Sequence, residues 1–136
     1  MFALHDGLAR DTHALATWSL SRVLLMNDAN YPWLILVPER AGARELIDLD
    51  ASDRATLIEE CARASMILRA LVKPDKLNVA TLGNVVPQLH VHVIARFATD
   101  AAWPKPVWGV RPPTPYTDAA RADFKARFDA AAAASR

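Results

Sequence analysis

The sequence predicts an α+β domain: a mostly antiparallel sheet of about five strands, one long helix packed on it, and a C-terminal helix. Three observations carry that expectation. Extended apolar runs come in adjacent groups joined by short turns, which favours antiparallel neighbours. A single long stretch repeats its apolar residues at helical spacing. A segment with five prolines, residues 98–116, separates the last strand from the end of the chain and excludes regular structure there.

Taken in order, THALATWSLSRVLLMND (residues 12–28) reads as two short extended pieces. DANYP is a turn cluster, because Pro32 blocks helix continuation. WLILVP (33–38) is apolar throughout, as in a strand buried on both faces. A loop with a short turn follows. Asp50 or Ser52 then caps the long helix, and Asp53 suits the positive end of its dipole. Leu57, Ile58, Cys61, Ser65, Ile67, Leu68 and Leu71 recur at its spacing, and Pro74 marks its end. KLNVATL is a strand, GNVVP a turn, and residues 86–97 the next strand. Thr117 opens an Ala-rich helix over about 117–133. No repeat or linker divides the chain, so residues 1–136 are read as a single domain.

Composition narrows the function classes. The formal net charge is +1, with acids and bases interspersed, which is no footprint for nucleic acid. No apolar run approaches the roughly 18 residues of a membrane span. The first residues are broken by Asp, His and Arg and lack the apolar centre of a signal peptide. Cys61 is the one cysteine, which excludes an internal disulfide and a cysteine zinc site. A cytoplasmic protein is expected.

The segment VPQLHVHVIARF carries the chemistry. Side chains alternate along a strand, so Leu89, Val91 and Val93 share the core face. Gln88, His90, His92 and Ile94 share the other. Three readings compete: half-exposed surface histidines, two ligands of a metal that needs a third, or a nucleophilic imidazole with a second imidazole beside it. Gly83 and Asn84, just upstream, favour an anion: glycine allows close backbone approach and an asparagine amide can donate to a phosphoryl oxygen.

With these residues in view, the sequence resembles the histidine triad (HIT) family of nucleotide hydrolases and transferases. The family signature alternates three histidines with apolar residues. Here it reads Gln88-Leu89-His90-Val91-His92-Val93-Ile94, with Gln88 in place of the first histidine. RVLLMNDANYPWLILVP, LNVATLGNVVPQ and DAAWPKPVWG resemble further family segments in the same order. The likeness is to small bacterial HIT proteins of the diadenosine-polyphosphate hydrolase type. It implies an antiparallel HIT-like fold, commonly a homodimer, and a small-molecule nucleotide substrate, a dinucleoside polyphosphate or a phosphoramidate. It implies His90 as the nucleophile that attacks the α-phosphorus and forms a nucleotidyl-histidine, and His92 as a phosphate contact. Gly83 and Asn84 fall on the phosphate loop, and Asn27 near a position that binds the ribose. Gln88 is counted with the substrate-binding residues. Trp33 lies near a position where many members carry a histidine. No cofactor and no bound metal are implied, though magnesium can accompany a polyphosphate. A nucleotide-binding protein without turnover is the alternative.

Overall fold

A computed structural model describes residues 1–135. Five strands form one sheet: β1 (Thr12–Thr17), β2 (Ser21–Met26), β3 (Trp33–Pro38), β4 (Lys76–Ala80) and β5 (Val91–Arg96). Their order is β1-β2-β3-β5-β4, and every neighbouring pair is antiparallel. The expected fold class and strand pairing therefore hold. Three helices accompany the sheet: α1 (Asp6–Asp11), α2 (Ala51–Val72) and α3 (Asp118–Ala134).

β3 and β5 lie side by side in the middle and are buried along their whole length. Alternation then splits the core in two. On one face, Val23, Leu25, Leu34, Leu36, Val91 and Val93 pack under Leu57, Ala64, Ile67 and Leu68 of α2, with Phe124 and Phe128 of α3 closing one end. On the other, Leu24, Trp33, Ile35, Val37 and Ile94 are covered by Leu8 of α1 and by Ala102 and Val107 of the proline-rich loop. A helix thus covers one face, and irregular chain the other.

α2 is set at both ends by local chemistry. The Asp50 carboxylate accepts from the Asp53 amide, so Asp50 and not Ser52 is the cap. Lys73 ends the helix in the left-handed conformation, and Pro74 follows. Thr117 caps α3, accepting from Ala120. The short helix α1 was not evident in the sequence. Its cap is the imidazole Nδ1 of His5, which accepts from the Gly7 amide. Gly7 is needed there, because a Cβ would come 3.1 Å from Val86 Cγ2 and 3.2 Å from that same imidazole.

The histidine strand is shorter than residues 86–97. Pro87 has no amide hydrogen to give. The Leu89 amide donates to the carbonyl of Ala43, away from the sheet. Pairing starts at Val91, so His90 stands on the loop end just ahead of β5 and His92 stands on β5 itself. Arg96, at the end of β5, is buried rather than solvated. It is 2% exposed and paired with Asp100 at 2.7 Å.

Candidate active site

A cleft of about 240 Å³ opens on the irregularly covered face. β5 and its preceding loop end supply His92 and His90. The Thr81–His90 loop supplies Gly83 and Asn84, α1 and the start of β1 supply Asp11, and the proline-rich loop supplies Trp108. Gly83 has φ +84°, a conformation in which a side chain is strained, and this turns the loop back over the histidines.

The two imidazoles are 6% and 4% exposed and meet edge to face, 4.8 Å between ring centres. Their hydrogen bonds fix different tautomers. His90 Nδ1 lies 2.7 Å from the carbonyl of Gln88. A carbonyl only accepts, so Nδ1 carries a proton, and the neutral ring has its lone pair on Nε2. His92 is the opposite case. The Trp33 indole N–H donates to its Nδ1 at 3.0 Å, which leaves the proton on Nε2. Burial, helped by His90, holds His92 down to about 3, so its ring is neutral in ordinary buffers. The geometry supplies a nucleophile and a neutral N–H donor.

Gly83 and Asn84 line the cleft with the histidines; Asn27 and Gln88 do not. Asn27 turns away because its Oδ1 accepts from the Tyr116 backbone N–H at 2.9 Å, while its backbone N–H donates to the Asp11 carbonyl. The carboxylate in the cleft is Asp11, half a sheet away in sequence and bridged on its outer side to Arg10. Nothing in the local pattern around Asp11 marked it. Gln88 serves through its backbone carbonyl, while its side chain holds the N-terminus. Its Oε1 accepts from the His5 amide and its Nε2 donates to the Ala3 carbonyl, both at 2.8 Å. Gln88→Ala should therefore loosen residues 3–11 and cost about 1 kcal/mol. Amide hydrogen exchange should quicken there and stay unchanged in α2; equal protection in both proteins would refute the clamp.

Trp33 and Trp108 pack around the second imidazole. Both touch His92, at ring-centre distances of 5.6 and 5.0 Å. Trp103 sits on the outer side, 5.8 Å from the Arg96 guanidinium, and does belong to the loop's own packing. Neither His5 nor His13 lines the cleft. Among the described residues, no three His, Cys, Asp or Glu side chains converge as metal ligands.

An antiparallel sheet that presents two alternating histidines beneath a glycine–asparagine loop defines a histidine-triad class of protein. The HIT domain model matches residues 9–99, and the chain belongs to that family. It is similar to a solved histidine triad protein from Bradyrhizobium japonicum, with 49% identity, 95% of this chain and 96% of that chain covered, and a TM-score of 0.93. A histidine triad protein from Marinobacter aquaeolei VT8 is 46% identical over 100% of this chain and 99% of its own, with a TM-score of 0.96. One from Sinorhizobium meliloti 1021 is 41% identical, covering 95% and 96%, with a TM-score of 0.93. A comparison with curated proteins found no match. Family and fold together make this a HIT domain protein of a generally nucleotide-binding kind. Among the described residues, no helix is long and apolar enough to cross a membrane.

Proposed function

We propose that this protein is a nucleotide hydrolase that works through a covalent nucleotidyl-histidine on His90. The observation that carries the proposal is the hydrogen bond from His90 Nδ1–H to the Gln88 carbonyl. In the neutral ring it puts the lone pair on Nε2, inside a cleft. The Nε2 lone pair attacks the α-phosphorus, and the bond to the leaving group breaks with its electron pair going to that group, which takes up a proton. The ring becomes positive as the P–N bond forms, and the Gln88 carbonyl stabilises the N–H that then carries charge. Water next attacks phosphorus, the P–N bond breaks, and nucleoside monophosphate leaves with His90 restored. His92 and Asn84 offer neutral donors to the phosphate oxygens, and Asp11 offers a carboxylate to the ribose hydroxyls.

The charge of the cleft bears on the substrate. Among the described residues, no lysine or arginine lines it, and its carboxylate, Asp11, is already paired with Arg10 through both oxygens. A dinucleoside polyphosphate would have to bring magnesium as its own counter-charge. A nucleoside phosphoramidate carries one phosphate and suits the cleft as it stands, which reverses the sequence-based order of the two substrates. We further propose a homodimer formed through the β4 edge. That edge has no strand neighbour, Val79 on it is 53% exposed, and Ile58 and Met66 of α2 are exposed as well. We also propose a cytoplasmic location, where nucleotide substrates are abundant.

The test offers adenosine phosphoramidate and diadenosine tetraphosphate to the protein, each with and without chelator. AMP release is followed, and the protein, quenched in denaturant at alkaline pH, is weighed. Expected are chelator-resistant release from the phosphoramidate and a mass gain of one adenylyl group. Neither AMP nor adduct from either compound would overturn the proposal.

A further inference from the structure

Trp33 fills a position with a consequence for the chemistry of the site. It is 4% exposed, and its indole N–H donates to His92 Nδ1 at 3.0 Å. An indole nitrogen can only donate. A protonated imidazole would place an N–H at both ring positions, so charging His92 would set its Nδ1–H against the indole N–H. It would also cost the buried hydrogen bond. The ring cannot swing to escape, because Trp108 meets it edge-on at 5.0 Å and His90 at 4.8 Å.

We infer that Trp33 is a positioning residue: it locks His92 as the Nε2–H tautomer, so the second imidazole meets the phosphate as a neutral donor. The tautomer assignment stands by itself; its catalytic meaning rests on the hydrolase reading above. The surroundings of His92 support the lock. β3 places Trp33 and Ile35 against it, β4 places Ala80 opposite it, and the proline-rich loop places Trp108, none of which titrates in the neutral range. Besides the two histidines, the charged group on the cleft wall is Asp11, at the α1–β1 junction. Burial and His90 both act in the same direction as the indole.

The decisive readout is nitrogen-15 NMR of the imidazole side chains between about pH 5 and 8, with His92 assigned by the loss of its signals in His92→Gln. Expected is a proton on Nε2, none on Nδ1, and no titration of His92. A proton on Nδ1, or titration of His92 in that window, would overturn the lock even if the enzyme turns over normally. Trp33→Phe keeps an aromatic ring and removes the donor. It should free the tautomer, so that a share of His92 carries its proton on Nδ1, and lower kcat about tenfold with little change in KM. Trp33→His restores a donor and should recover much of the kcat. A Phe variant whose His92 stays wholly protonated on Nε2 would count against the inference. The NMR result is independent of turnover, so an inactive protein with a locked His92 would refute the hydrolase reading and leave this one standing.

Discussion

His90→Asn is expected to reduce nucleotide turnover on the order of 10⁴-fold or more, while nucleotide binding weakens far less. The asymmetry follows from what each part of the site contributes. Asparagine fills a similar volume and can still donate to a phosphate oxygen, and the loop, Asp11, Trp108 and His92 remain in place around it. What disappears is the lone pair that attacks phosphorus. The measurement pairs initial rates of AMP release with AMP affinity by calorimetry, on wild type and variant. A variant that keeps most of the turnover would remove His90 as nucleophile. Wild-type protein that binds AMP and shows no turnover on either substrate would make this HIT protein a nucleotide binder.

Asp100→Ala is expected to destabilise the fold by about 3–5 kcal/mol, the cost of stranding a buried charge. The Asp100 carboxylate accepts two bonds from Arg96, at 2.7 and 3.1 Å, and further bonds from the amides of Phe97, Ala102 and Trp103. Arg96 in turn donates to Asn78 on β4 and to the carbonyl of Lys105. One ion pair therefore fastens the proline-rich loop, which carries Trp108, to the end of the sheet. Removing the carboxylate leaves a guanidinium that is 2% exposed without its counter-charge. Urea unfolding should show a lower midpoint at an unchanged slope; a shift below about 1 kcal/mol would mean that water reaches Arg96 freely. The pH dependence has a definite sign. Burial alone would raise the Asp100 carboxyl, but Arg96 and the three amides bring it down to about 2. A carboxylate lowered in the folded state stabilises above its ordinary value, near 4, and that contribution is lost as the pH falls towards 2. Wild type should therefore lose stability over that interval more steeply than Asp100→Ala does.

Much of the architecture was legible because it is written in local periodicity. The continuous apolar run of β3, the helical spacing of α2 and the alternation around His90 and His92 each depend on residues a few positions apart. The Asp50 and Thr117 caps are legible for the same reason: a side chain closes a bond to an amide three residues on. α1 escaped because its cap is an imidazole and its first turn holds a glycine, neither a usual sign of a helix start. The end of β5 escaped because apolar alternation continues through Leu89, whereas pairing stops where the Leu89 amide finds Ala43.

By itself the sequence determined the fold class, the family likeness, and the placing of His90 and His92 on one side of a strand. Tertiary structure decided what each polar group does there. Trp33 reaches His92 across 59 residues, Gln88 reaches His5 across 83, and Asn27 spends its side chain on Tyr116, 89 residues away. Those bonds choose which imidazole nitrogen is bare and which side chains face the cleft, while Asp100 and the proline-rich loop bury Arg96. A strand's alternation follows from its own backbone. A tautomer or a buried charge depends on the partner that arrives from elsewhere in the chain, and local spacing carries no record of that partner.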